Sequence, residues 1–420
     1  MTPPALPHPL PRRSPRFGRG LAAAVLALVV LGAALVLGRH SGSIPARPNA
    51  ALPIKPTPGI RLLDPKHSRI DAAHIDARAR ALVGRPDMAG LAVAVVENGQ
   101  LAFAKGYGET QAGKGEPVTA QTLFRWASVS KGVAATMTAL LASQGKLSLD
   151  DPVARWSSIR LPAGGERVAT LTDALSHRLG IVRNAYDDRL EGNEDPRQIR
   201  SELGKLEALC RLGTCFAYEN VAFDLVHEAV EKATGQSYDA AAHRLLFGPL
   251  GMTSAGTTRE ELVAASSWAR PHKGRTTLPV EEAYYRIPAA AGMNSSIVDL
   301  AIWMRAQMGG APAVLSPALL LTLHRPRVST PPHGRADRLA PHDVSYGLGF
   351  RQIDYAGHHL IGHRGAVRGY RSVLLFDPAE QVGVVMLWNS EASRPVGLSL
   401  EILDGYYRHP FHDWLQLDKP

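Results

Sequence analysis

The sequence predicts an α+β sandwich: a central antiparallel sheet formed from both chain termini, flanked by helices, with a mostly helical lobe inserted. Three observations carry this. Residues 90–96 and 101–105 are apolar runs joined through Glu97-Asn98-Gly99, and an Asn-Gly turn between such runs is the strongest short-range hairpin signal. Residues 346–354, 359–362, 370–376 and 382–388 read as strands, separated by short turns such as Asp377-Pro378-Ala379-Glu380. Between these ends, roughly over 128–310, apolar residues recur at helical spacing. One sheet closed by the two termini is the simplest way to bury both sets of strands.

Taken in order, residues 1–19 form a basic N-terminus and 20–38 an uncharged apolar run. Residues 39–64 are a proline-rich linker, read as an extended spacer. A folded domain follows over 65–412, with its helical lobe at about 140–310. A bilayer crossing takes about 20 apolar residues, whereas a signal-peptide core takes about 7–15. Arg12, Arg13, Arg16 and Arg19 precede the run and only Arg39 follows it closely, which places the N-terminus inside. The expectation is an uncleaved membrane-spanning signal anchor in a bacterial inner membrane, with the folded domain in the periplasm. A long cleaved signal peptide is the alternative, although Gly38-Arg39-His40 makes a poor cleavage site.

Inside the domain, 68–82 reads as a helix with Ile70, His74 and Ala81 among its inward residues. Residues 130–144 are helical and stop at Gly145; 223–234 and 238–247 read likewise. Residues 295–308 start on Ser295-Ser296 as N-cap candidates and end at Gly309-Gly310. A last amphipathic helix, at about 395–408, is placed to cover one sheet face.

Composition narrows the function classes. At 45% hydrophobic and 20% charged, the chain is a folded globular protein. Its net charge of +9 is concentrated at the start: residues 1–60 carry seven basic side chains and no acidic ones. Removing those seven from 47 leaves 40 basic against 38 acidic, a nearly neutral body. With no basic stripe interleaved with aromatics, nucleic-acid binding is excluded. Cys210 and Cys215 enclose a short loop, which an oxidising compartment lets close as a disulfide; two unpaired buried thiols are the other reading. No matching His or Cys pair stands near them, so no zinc site is expected.

The candidate chemistry lies in three separated triplets. Ser128-Val129-Ser130-Lys131 opens a helix, and residues three apart share a helix face, so the hydroxyl and the amine meet. A hydroxyl is a weak nucleophile until a base takes its proton, and a helix start favours a developing anion. The plainer role for Ser128 is an ordinary N-cap. A second copy, Ser143-Gln144-Gly145-Lys146, straddles a helix-stopping glycine and reads as a C-terminal cap. Tyr218-Glu219-Asn220 adds a phenol near an ammonium and an amide able to hold the lysine or a substrate. His363-Arg364-Gly365 ends a strand, where the glycine admits a close approach. His272-Lys273-Gly274 looks similar but lies in a polar loop with no strand attached.

On these residues the chain resembles the serine β-lactamase and penicillin-binding hydrolase superfamily. It is most similar to the class C β-lactamase-like branch, which includes D-alanyl-D-alanine carboxypeptidases, D-amino-acid peptidases and esterases. The segment from Thr122 to Gly132 resembles that branch's nucleophile segment closely. Residues 145–152, Leu175-Ser176-His177, 249–252, 291–296 and Phe376-Asp377-Pro378 are similar to accessory segments, so the resemblance runs from about Asp71 to Tyr407. It implies the β-lactamase/transpeptidase-like fold, a small-molecule or peptide substrate and no metal or cofactor. It further implies that Ser128 becomes acylated while Lys131 and Tyr218 relay its proton. Asn220 would bind Lys131 or the substrate amide. His363 would replace a strand lysine, Gly365 would let the acyl group lie along the strand, and the Ser128 and Ala366 amides would form the oxyanion hole.

One departure matters. Where a class C β-lactamase carries Lys-Thr-Gly, this chain has His363-Arg364-Gly365, which disfavours efficient cephalosporin hydrolysis. The expectation is a peptidase or esterase, ahead of a β-lactamase and of a non-catalytic cell-wall recognition module. Arg364 or Arg368 nearby would either grip a substrate carboxylate in two-pronged fashion or serve as an ordinary solvated surface arginine. Substrate choice should lie in the loops at about 185–215 and 255–290, and the sequence does not fix an oligomeric state.

Overall fold

The computed structural model describes residues 59–331 and 344–418. The apolar run at 20–38 and most of the proline-rich linker lie outside the described residues. Among the described residues, no helix is long and apolar enough to cross a membrane.

Among the described residues the sheet has eight strands: β1 Gly90–Glu97, β2 Gln100–Gly108, β3 Val328–Ser329, β4 Ser345–Tyr346, β5 Arg351–Tyr355, β6 His358–Val367, β7 Tyr370–Asp377 and β8 Val382–Trp388. Their order is β2-β1-β8-β7-β6-β5-β4-β3, and every pairing is antiparallel. The first hairpin turns through Asn98 (φ 52°) and Gly99 (φ 70°), both left-handed as a two-residue hairpin loop requires. The two chain ends meet where β1 pairs β8, from Leu91 opposite Trp388 to Glu97 opposite Val382.

Helices cover both faces: α1 Ala72–Val83, α2 Ser130–Ser143, α3 Leu225–Thr234, α4 Ile297–Arg305 and α5 Val396–Tyr407. Alternation along β1 divides the core between them. Leu91, Val93 and Val95 join α1 and α5 in one apolar cluster, while Ala92, Ala94 and Val96 join α2, α3 and α4 in the other. A strand buried on both faces reads as a continuous apolar run, which is how residues 90–96 appear.

Several boundaries differ from expectation. The first helix starts at Ala72, because the Asp71 carboxylate caps it by accepting from His74 N, while Ser68 Oγ donates to Glu97 Oε2 at 2.7 Å. Its inward face is therefore Ile75, Arg78, Ala79 and Leu82, with Ala81 exposed and Ile70 and His74 half-buried. Residues 346–354 form two strands rather than one, broken at Gly347–Gly349, where Gly349 has φ +74°. His272–Lys273 is a short strand paired with Thr276–Thr277. His272 is buried there, its Nδ1 meeting Asn389 O at 3.0 Å and its Nε2 accepting from Ala112 N at 3.1 Å. Ser143 ends α2, its Oγ donating to Leu140 O at 2.7 Å, and Lys146 lies beyond Gly145.

Candidate active site

Ser128 lies in a 3-10 turn, Ala127–Val129, that runs directly into α2. Ala127 has φ +49°, a conformation a side chain adopts only when its surroundings impose it. Those surroundings are explicit. Trp126 N donates to Met293 O at 2.8 Å, Trp126 Nε1 donates to Ser295 Oγ at 2.9 Å, and Ser372 Oγ on β7 donates to Trp126 O at 2.6 Å. Val129 is the N-cap of α2, without a side-chain capping bond. The hydroxyl of Ser128 is thus not the helix cap.

Lys131, on the first turn of α2, is fully buried. Its ammonium donates to Asn220 Oδ1 at 2.7 Å, Ala290 O at 3.1 Å and Ser128 Oγ at 3.4 Å. A buried cation needs such partners, and three donors meet three oxygens. Ala290 is presented by the short helix Pro288–Ala291. Behind it, the Asp224 carboxylate accepts from Ala289 N at 2.9 Å and from the buried Arg200 Nη1 at 3.1 Å.

Tyr218 stands beside the lysine, with Lys131 Nζ 4.7 Å from its ring centroid. His177, read from the sequence only as part of an accessory segment, holds it there. Ala217 N donates to His177 O at 2.9 Å, Glu219 N donates to His177 Nδ1 at 3.1 Å, and the His177 ring lies 4.4 Å from that of Tyr218. His177 is fully buried with φ +58°. Burial, and then the Lys131 charge, push its pKa well below the usual value. Its ring is thus a neutral acceptor. Burial likewise pushes the Glu219 carboxyl well above its ordinary range.

Cys210 and Cys215 are joined by a disulfide. The loop they close is knitted to the His177 segment: Leu209 N donates to Gly180 O at 2.8 Å, and Gly213 N donates to Arg178 O at 2.9 Å. The disulfide therefore braces the chain leading to Tyr218. Replacing both cysteines with serine is expected to cost about 2 kcal/mol of stability, read from denaturant midpoints. A several-fold fall in kcat at little-changed KM is expected alongside.

β6 continues to Val367, so His363-Arg364-Gly365 lies within the strand rather than at its end; pairing with β7 runs to Val367 opposite Tyr370. On its other side, β5 stops pairing at Gly362 opposite Arg351, leaving residues 363–367 facing the Ser128 turn. His363 is buried, its Nδ1 bonded to Arg364 O at 2.7 Å and its Nε2 to the Tyr346 hydroxyl at 2.9 Å. A carbonyl only accepts, so Nδ1 carries a proton and donates to Arg364 O, while Nε2 and the Tyr346 hydroxyl share the second bond. Gly365 has a second reason beyond the expected one. A methyl there would overlap Trp126 O and Ser372 Oγ and stand 3.0 Å from Ala127 Cβ. The close neighbour is the protein's own nucleophile turn. Arg368, the alternative carboxylate grip, is paired with Glu281.

These elements border a cavity of about 560 Å³ whose lining includes Ser128, Tyr218, Asn220, His363, Arg364 and Ala366. It gathers every expected site residue except Lys131, which sits directly beneath, and the two cysteines, which brace its wall. Asp187, Tyr284, Arg183 and Arg351 also line it and were not read from the sequence, since no local pattern marks them. Asp239, His243 and Glu261 come together outside this lining. There Asp239 accepts from Thr257 Oγ1 at 2.7 Å and Glu261 closes a capping box with Thr258.

Residues 75–404 match the beta-lactamase family. The chain is 32% identical over 222 residues to esterase EstB of Burkholderia gladioli, covering 47% of this chain and 56% of that protein. It is 26% identical to a D-aminopeptidase of Gluconobacter oxydans, covering 83% and 65% of the two chains. It is 29% identical to penicillin-binding protein 4 of Amycolatopsis lactamdurans, covering 76% and 85%. The chain thus spans less than two thirds of the esterase and of the D-aminopeptidase. Among solved structures, an octameric penicillin-binding protein homologue from Pyrococcus abyssi superposes with a TM-score of 0.73 at 23% identity, over 81% of this chain and 78% of that one. The fold is that of the β-lactamases and transpeptidases, and the chain belongs to the beta-lactamase family.

Proposed function

We propose that the protein is a serine hydrolase that acylates Ser128 with the acyl part of an amide, peptide or ester and releases it to water. The observation that carries this reading is the set of partners around Lys131. Asn220 Oδ1 and Ala290 O accept hydrogen bonds and cannot donate, whereas Ser128 Oγ carries a hydrogen. When Lys131 is neutral, its two N–H groups satisfy the carbonyl oxygens and its lone pair is left for the Ser128 proton. Lys131 then acts as general base. Tyr218, at the cavity wall beside the lysine, completes the relay by returning the proton to the leaving group.

The tetrahedral oxyanion would rest on the Ser128 and Ala366 amides, since donors aimed at developing charge supply the largest catalytic term. The β5 pairing ends at Gly362, and an extended substrate would lie along residues 363–367 beyond it. A peptidase or esterase is favoured over a β-lactamase because the strand position a lactamase fills with lysine holds His363, which is bonded to Tyr346. The esterase and D-aminopeptidase relatives agree with that preference. The apolar run at 20–38 further supports a membrane-anchored enzyme with its site in the periplasm.

Labelling of the wild-type protein with a fluorescent fluorophosphonate and a fluorescent penicillin tests this, with Ser128→Ala as control. Labelling by the fluorophosphonate with slow or absent penicillin turnover is expected. Rapid penicillin turnover would instead favour a β-lactamase, and labelling by neither probe would remove the acyl-enzyme reading. Arg364 lines the cavity and is assigned to a substrate carboxylate. Arg364→Ala should raise KM about tenfold or more for acidic substrates, leaving neutral ones within about twofold. Equal behaviour of both series would end that assignment.

A further inference from the structure

We infer that Asp187 is a positioning residue that fixes the orientation of the Asn220 amide and thereby reserves the Lys131 lone pair for Ser128. The inference rests on the serine-hydrolase reading and extends it one residue outward. Asn220 stands between two groups: its Nδ2 donates to Asp187 Oδ2 at 2.7 Å and its Oδ1 accepts from Lys131 Nζ at 2.7 Å. An asparagine side chain has a donating end and an accepting end that exchange by a half-turn, so nothing intrinsic to Asn220 decides which end meets the lysine. Asp187 decides it. An ionised carboxylate only accepts, so the amide must turn Nδ2 toward Asp187 and Oδ1 toward Lys131.

The orientation matters because of the other partners of Lys131. With Oδ1 facing it, the neutral lysine spends both hydrogens on Asn220 and Ala290 and keeps its lone pair for the hydroxyl. With the amide reversed, Nδ2 would donate into that lone pair, and the base would be occupied before substrate arrived. Asp187 has little else to bond to. Its Oδ1 is buried without a hydrogen-bond partner. Burial raises its pKa, an effect opposed by the Asn220 bond and the Lys131 charge and reinforced by Glu191 and Asp188. Tyr284, which donates to Glu191 Oε1 at 2.7 Å, also feels the Asp187 charge. A half-buried carboxylate with one bare oxygen is costly to keep for packing alone.

Asp187→Asn keeps the shape but admits either amide orientation. Fluorophosphonate labelling rates across pH, on protein whose thermal unfolding matches wild type, provide the test. The variant should label roughly 10- to 100-fold more slowly at its optimum. Its acid limb should shift to lower pH, since one negative charge near the base is gone, and KM for a neutral ester should change less than about twofold. The reciprocal pair Asp187→Asn with Asn220→Asp restores an acceptor toward Lys131 and should recover part of the rate, with the acid limb moved back up. Wild-type labelling together with an unchanged rate and profile in Asp187→Asn would overturn the inference and leave the acyl-enzyme reading intact. A rate loss that the reciprocal pair fails to recover would also overturn it. Absent wild-type labelling would instead strike the underlying reading.

Discussion

Ser128→Ala and Lys131→Ala are each expected to lower kcat by roughly 10⁴- to 10⁶-fold, and the double variant to lose no more than the worse single one. Groups that act as a unit are strongly non-additive, because removing either one abolishes the shared step. The geometry leaves little redundancy. Lys131 Nζ lies within bonding range of Ser128 Oγ, and its other hydrogen bonds go to oxygens of Asn220 and Ala290. The two variants should differ in stability. Ser128→Ala removes a half-buried hydroxyl, whereas Lys131→Ala strips the buried Ala290 O and the half-buried Asn220 Oδ1 of their donor, a loss of about 1–3 kcal/mol for an unsatisfied buried polar group. Steady-state kinetics with denaturant unfolding of the three variants checks both points. Additive losses in kcat would mean that the two side chains serve separate steps.

Gly365→Ala carries the second largest expected effect. The added methyl cannot fit between Trp126 O, Ser372 Oγ and Ala127 Cβ, and two of those three are backbone-anchored. β6 and the nucleophile turn must therefore separate. A displacement of about 1 Å at a reacting group costs on the order of 100-fold in rate, and overpacking costs about 1–3 kcal/mol of stability. Both losses should appear together. A crystal structure of the variant should show the Ser372 Oγ to Trp126 O bond, 2.6 Å in the native protein, stretched or broken. Full activity would show that the turn yields without moving Ser128.

What the sequence made legible was local. Asn98-Gly99, the apolar runs of β1 and β8 and the helix stop at Gly145 each state their structure within a few residues. Ser128, Lys131, Tyr218, Asn220 and the β6 triplet came with them because the resemblance rested on short segments. Less legible was whatever depends on distant packing. The start of α1 turned on whether Asp71 or Ser68 supplies the cap, and Ser68 was drawn away by Glu97 on β1. His177 and Tyr346 are ordinary residues in sequence, and become parts of the site only because one carries the Tyr218 segment and the other meets His363. Asp187 lies 33 residues before Asn220, a separation with no pattern to follow. The reason for Gly365 was likewise hidden, since the atoms it makes room for belong to Trp126 and Ala127.

The pairing of β1 with β8 has a consequence for how the molecule is made. Leu91 and Trp388 are roughly 300 residues apart, and joining them closes almost the whole domain into one loop. β1 is apolar on both faces and lies between β2 and β8 in the finished sheet, yet during synthesis it emerges long before β8 exists. Until the last strands arrive it has only β2 to pair with, and a two-stranded hairpin is marginal in water. The fold is therefore committed late, by its C-terminal end. Chains interrupted before residue 382 should expose an unsheltered edge that favours self-association.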